Sequence, residues 1–272
     1  SIDSIRQNIR QKLAIQLAEL PFLGVINALV IGDRSLIDQA HWDLFKSTNT
    51  THLSVISGLH IGLISGFIFI LVSFIWRRCA SCASKLPANV LGAYFGLSSA
   101  LIYALIAGFS IPTQRAFIMA GVVFLSLILR RHHNVWQLYG MALILVLFFN
   151  PLSIFSAGFW LSFYVVGVII YGVGQHKDKH WFLRLLYIQL LISLATLPLI
   201  AWFFHSGSLL SPIANLVAIP VFSFISTPFS LLGALFLYLD AQFLSHLSFA
   251  IANQSLAYLS LLLQFLTELK FN

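Results

Sequence analysis

Ser57 and His60 stand three residues apart, so on a helix they share a face, as a hydroxyl nucleophile and its base would need to. An intramembrane Ser/His hydrolase would also require an oxyanion hole and a group that orients the base. Nothing else in the chain argues for either. His52 and His60 are eight residues apart, about 12 Å of rise on one helix. They could share a metal ion only if the helix broke at Gly58, or if His205 or another span joined them, so no metal site is expected. Cys79 and Cys82 form a C-x-x-C with no second ligand pair nearby, and incidental spacing is the better reading. The chain has no G-x-x-x-x-G-K-[ST] loop and neither an HExxH nor an H-x-x-E-H zinc motif. No enzymatic activity and no cofactor are expected of it.

The remaining polar residues suggest a path rather than a reaction. Arg115 lies about one turn into an apolar run that begins at Pro112, where it either snorkels to headgroups or offers a cation to water or phosphate. Asn150 ends one apolar run, and Asn215 sits between Pro212 and Pro220 of another. Pro212, Pro220 and Pro228 recur at eight-residue intervals. Proline removes a backbone donor, and the carbonyls it frees survive at membrane depth only against protein or water. That region reads either as a kinked packing helix or as a broken segment lining a polar path. Ser54, Gly58, Gly62 and Gly66 fall four apart, a small-residue stripe suited to close helix packing in lipid.

The elements that must position these groups follow from composition. The chain has 272 residues, 59% hydrophobic and 8% charged, with a mean hydropathy of +0.93. A soluble domain carries about 25% charged residues, so the fold class is an all-α polytopic membrane protein. About eight spans are expected at 53–75, 89–110, 113–129, 135–149, 157–174, 185–204, 212–235 and 244–266, the seventh broken by proline. An amphipathic interfacial helix over residues 4–20 precedes them, ended by Pro21, and Gly32-Asp33-Arg34-Ser35 reads as a turn ahead of a short helix near 37–46. The expected division is a leading segment, 1–52, and a transmembrane domain, 53–272. The net charge of +7 is mostly topology. Past residue 52 the bases cluster in three loops: Arg77, Arg78 and Lys85; Arg130 and Arg131; Lys177, Lys179 and Arg184. These loops follow alternate spans and share one face, cytoplasmic by the positive-inside rule, which puts residues 1–52 outside. Ser1 in place of Met suggests a piece of a longer protein.

The run from Leu44 through Thr50-Thr51-His52-Leu53-Ser54-Val55-Ile56-Ser57-Gly58-Leu59-His60 to Leu63 resembles the signature of the ComEC-type competence proteins. Three further stretches agree in order: Ala107 to Met119, Asn150-Pro151 through Ser156 to Phe163, and Ser211 to Pro220. Asn49 departs from the family, which usually has glycine there, but Asn also tolerates left-handed backbone. The resemblance implies an inner-membrane channel that conducts single-stranded DNA into the cytoplasm during natural transformation. It further implies outside OB-like and metallo-β-lactamase-like domains elsewhere in a longer protein, the latter a nuclease. A periplasmic DNA receptor and a cytoplasmic ATPase or single-strand-binding proteins are the other expected partners. Such a path needs a wet lining with few cations. The candidates are His52, Ser54, Ser57, His60, Arg115, Asn150 and Asn215, with Gly58, Gly62 and Gly66 packing the first span. The rival outside this class is a secondary transporter for a small anion, which would also use broken helices.

Overall fold

The computed structural model describes residues 2–17, 20–78, 86–175, 180–204 and 211–268. Cys79, Cys82, Lys85, Lys177, Lys179 and His205 lie outside them. Helices follow in the order α1 (Ile2–Gln16), α2 (Leu23–Ile31), α3 (Gln39–Ser47), α4 (Gly58–Arg77), α5 (Ala88–Ile106), α6 (Ile111–Ile128) and α7 (Val135–Phe149). After a 3-10 turn over Pro151–Phe155 come α8 (Ala157–Gln175), α9 (Trp181–Phe204), α10 (Ser211–Pro220), a π-helical segment over Val221–Ser226, α11 (Thr227–Tyr238) and α12 (Gln242–Glu268). No strand occurs among the described residues. Among the described residues six segments are long and apolar enough to cross a membrane, and two shorter apolar helices lie where the fourth and sixth spans were expected. The protein is an all-α polytopic membrane protein.

The contacts cluster into two compact units, Ser1–His60 with Leu105–Phe109 and Gly207–Asn272, and Ile61–Ala104 with Ser110–Ser206. Residues 1–52 thus pack with the C-terminal helices instead of forming a body of their own. In the first unit α2 is the centre, buried from Gly24 to Ile31. A Cβ on Gly24 would collide with the Leu36 carbonyl, so only glycine lets the following loop lie against this helix. Phe45, Phe222, Phe249, Ala214, Ala218, Leu256 and Leu263 complete this core. The amphipathic α1, packed on α2 and α11, adds Leu13, and Leu17 follows just past its end, both fully buried. Its apolar stripe therefore faces protein more than headgroups, with Ile15 left 82% exposed.

The turn after α2 forms as its residues demand. Gly32 caps the helix at φ 77°, a left-handed conformation that favours glycine. Asp33 accepts the Ser35 N–H at 2.9 Å and pairs with Arg10 at 3.1 Å. Arg6 ties two helix ends, its Nε donating to the Ile106 carbonyl at 3.0 Å and Nη2 to the Ile31 carbonyl at 3.2 Å.

In the second unit α4 and α5 close tightly. Ser73 donates to the Ala88 carbonyl at 3.1 Å, Gly92 lies against the Phe69 backbone, and Gly96 seats the Phe124 ring. A capping box of Asn134 and Gln137 starts α7, whose Tyr139 hydroxyl donates to the Phe163 carbonyl of α8 at 3.0 Å. Phe67, Phe74, Phe148, Phe149 and Trp202 are exposed, as lipid-facing side chains are in a chain this apolar.

Candidate functional site

The first span begins later than its hydropathy suggests. α4 starts at Gly58, so His52 and Ser54 lie in the preceding turns, and the break at Gly58 does occur. His52 is exposed. Among the described residues no group of three or more His, Cys, Asp and Glu side chains gathers as a metal site would require.

Ser57 and His60 do meet, but not as nucleophile and base. The Ser57 Oγ accepts the His60 backbone N–H, and His60 Nδ1 accepts the Ser57 backbone N–H, each at 3.4 Å. This is the topology of a capping box, with imidazole in place of the usual Glu or Gln. Both contacts are long, but together they meet two donors that a helix start leaves open. They also fix the tautomer. Nδ1 is the acceptor, so Nε2 carries the hydrogen. His60 is 1% exposed and Nε2 has no partner, which leaves a buried N–H that can still donate. Ser54 is fully buried, its Oγ donating to the Thr51 carbonyl at 2.8 Å.

The turn between α3 and α4 is a hydroxyl knot. Thr48 and Thr50 are fully buried and bond each other at 2.9 Å, and the Thr50 N–H donates to the Phe45 carbonyl at 2.8 Å. Between them Asn49 takes φ 56°, the left-handed state expected where the family has glycine. Its side chain also acts. Asn49 Nδ2 donates to Ser211 Oγ at 3.2 Å, and Asn215 Nδ2 donates to the same oxygen at 3.1 Å, leaving Asn215 Oδ1 buried and unmatched. Asn215 thus joins a cluster whose other members, Asn49 and Ser211, sequence reasoning passed over as site residues. The Ser-Pro-x-x-Asn spacing was the available signal, because it sets Ser211 and Asn215 one turn apart.

In the second unit Arg115 is 5% exposed on α6, one turn past Pro112. It does not snorkel free. Its Nε is buried without a partner, and a Cβ added to Gly158 of α8 would lie 2.9 Å from Nη2. No Asp or Glu occurs between Asp43 and Asp178. Among the described residues no carboxylate pairs with it, so an anion or water would relieve the cost of burying this charge. Asn150 acts through its backbone, ending α7 with its N–H on the Val146 carbonyl and starting the 3-10 turn.

Among the described residues no neighbour crowds the glycine stripe. A Cβ at Gly62 or Gly66 would meet nothing within 4 Å among the described atoms, and Gly58 is exposed. Close neighbours crowd other glycines instead, among them Gly24, Gly92, Gly96, Gly158 and Gly233.

Comparison with known proteins shows the family. The family profile described as "Competence protein" matches residues 29–272. The chain belongs to the competence protein family. It is 35% identical over 216 residues to the competence protein ComA of Neisseria gonorrhoeae, covering 78% of this chain and 30% of that protein. It is 33% identical over 244 residues to recombination protein 2 of Haemophilus influenzae, covering 84% and 30%. Against ComE operon protein 3 of Bacillus subtilis it is 28% identical over 221 residues, covering 81% and 27%. The chain thus spans about a third or less of the length of these family members. No solved structure matches it.

Proposed function

We propose that this chain is the membrane-channel part of a DNA-uptake protein, passing single-stranded DNA across the bacterial inner membrane into the cytoplasm. Arg115 carries the reading. It is a buried guanidinium in a chain region without acids, and it lacks a hydrogen-bond partner at Nε. A phosphodiester supplies the missing anion, and guanidinium matches phosphate geometry. One such cation among neutral polar groups suits a strand that must move, because many cations would hold it. His60 Nε2–H is a second free donor, and Asn215 Oδ1 a free acceptor; His52, Ser54, Ser57 and Asn150 complete the proposed lining.

The three basic loops mark the cytoplasmic side, so residues 1–52 face outward. OB-like and metallo-β-lactamase-like domains of the longer protein, with a DNA receptor, would hand over one strand there. In this reading Ser57 and His60 serve the start of α4, each side chain accepting the other's backbone N–H. An ATPase or single-strand-binding proteins would draw the strand inward.

The test is uptake of labelled DNA by cells carrying the full-length protein with Arg115→Gln, at membrane levels matched to wild type. Internalised DNA should fall about tenfold or more, the effect of losing about 1.4 kcal/mol, while surface-bound DNA is unchanged. Unchanged internalisation would remove Arg115 from the path. Normal uptake in cells lacking the protein altogether would overturn the DNA reading itself and favour the transport of a small anion.

A further inference from the structure

The proline-broken span holds oxygen atoms that the rest of the chain teaches one to expect satisfied. Serines and threonines in these helices bond back one turn as a rule. Ser65 donates to the Ile61 carbonyl at 2.7 Å, Ser162 to Gly158 at 2.8 Å, Thr196 to Ile192 at 2.8 Å and Ser248 to Leu244 at 2.8 Å. Ser223, Thr227 and Ser230 do not. All three are buried, at 3%, 1% and 0% exposure, and none of their hydroxyl oxygens has a partner. They recur at spacings of four and three residues, so they share one helix face.

The backbone beside them is also short of a donor. Val221–Ser226 is π-helical, and the Thr227 N–H is taken by the Phe222 carbonyl, five residues back. The next residue, Pro228, has no N–H to give. The Ser223 carbonyl therefore loses both the α-helical and the π-helical donor that could reach it. One turn of this span gathers the Ser223 carbonyl, Ser223 Oγ and Thr227 Oγ1, with Ser230 Oγ a turn further on. Each can present a lone pair inward.

From this we infer that the π-helical break is a binding site for a desolvated monovalent alkali cation, held by the Ser223 carbonyl and the hydroxyls of Ser223 and Thr227. Neutral carbonyl and hydroxyl oxygens at an interrupted transmembrane helix are the ligand set that suits sodium or potassium. No Asp or Glu lies between Asp178 and Asp240, so the site lacks the carboxylates that a divalent ion would need to offset its dehydration. π-helical insertions recur at functional sites. The ion would lock the break between α10 and α11, supplying the links that the missing backbone donors cannot.

The experiment uses the full-length protein in lipid nanodiscs. Thermal unfolding is followed while NaCl or KCl replaces choline chloride at constant ionic strength, and retention of radiolabelled sodium is measured beside it. The expected result is a saturable rise in Tm with one of the alkali ions and none with choline. Thr227→Val should weaken the apparent affinity at least about tenfold, one ligand worth about 1.4 kcal/mol, while Thr227→Ser keeps it. If Thr227→Val does not fold, Ser223→Ala serves in its place. Equal Tm in all three salts with no sodium retained, the hydroxyls then being met by water, overturns the proposal. So does a salt response that survives both substitutions.

Discussion

Ser57 and His60 cap each other: each side chain takes the other's backbone N–H, at 3.4 Å in both directions. A Ser–His pair that resembles the start of a catalytic site is thereby the start of a helix. Replacing Ser57 with Ala should cost about 1 kcal/mol, the worth of an N-cap, whereas Ser57→Asp or Ser57→Thr should stay near wild type. Thermal unfolding of the three variants in detergent checks this. Loss of that ordering, with Ser57→Ala as stable as Ser57→Asp, would show that Ser57 does not cap α4.

How much of this was legible depends on which property set the feature. Span positions are set by hydropathy, which belongs to single residues, and the six long helices and two short ones fall where the apolar runs lie. The place where α4 begins is set by a local exchange between Ser57 and His60, so an apolar run starting at Leu53 overreached. The stripe of Gly62 and Gly66 fits a spacing rule, but spacing names no partner, whereas Gly92 and Gly96 are crowded by Phe69 and Phe124 with no such rhythm. The proline rhythm at 220 and 228 was readable as a break; the π-helical register between them, and the orphaned hydroxyls it leaves, emerge only when each donor is assigned.

The two kinds of glycine should respond oppositely to one methyl group. Gly62→Ala adds a Cβ that meets nothing within 4 Å, so lower chain entropy in the unfolded state should stabilise the helix by about 0.4–1 kcal/mol. Gly96→Ala drives its Cβ to 2.6 Å from the buried Phe124 ring and should cost about 1–3 kcal/mol. Denaturation of both variants beside wild type decides it. If Gly62→Ala were instead the damaging one, the stripe would be packing against something outside the chain.

Asn49 serves both the turn and the tie to Ser211. Asn49→Gly should keep the turn, because glycine takes φ near 56° without strain, and lose only the hydrogen bond to Ser211, about 1 kcal/mol. Asn49→Val loses the bond and must also carry a β-branched side chain in left-handed backbone, a further cost of about 1–2 kcal/mol. The order of stability should be wild type, then glycine, then valine, read from Tm at one pH and detergent.

Asp33 gives the fold an acid-sensitive joint. Burial alone would raise its pKa, but the Ser35 backbone and side-chain bonds, the Arg10 charge and Asn27 together hold it below the ordinary aspartate value. A carboxylate depressed on folding contributes stability that is complete above its unfolded pKa, about 3.9. That contribution is lost as pH falls through the lower, folded value. Asp33→Asn should therefore flatten the decline of Tm between about pH 5 and the acid limit, leaving a constant deficit above it. An unchanged acid slope would show that the joint carries none of it.

Gly158 is the hand on Arg115. Its Cα faces the guanidinium so closely that an added Cβ would lie 2.9 Å from Nη2 and 3.7 Å from Nη1. What must yield is the far end of a flexible side chain rather than backbone. Gly158→Ala should therefore change stability by less than about 1 kcal/mol, the helix gain from alanine offsetting part of the crowding. The guanidinium would still be displaced, and if it positions phosphate as proposed, its fork does not tolerate displacement. DNA internalisation at matched protein levels should fall toward that of Arg115→Gln, and adding Gly158→Ala to Arg115→Gln should do nothing more. Independent, additive losses would mean that Gly158 acts elsewhere, because two changes to one contact cannot add.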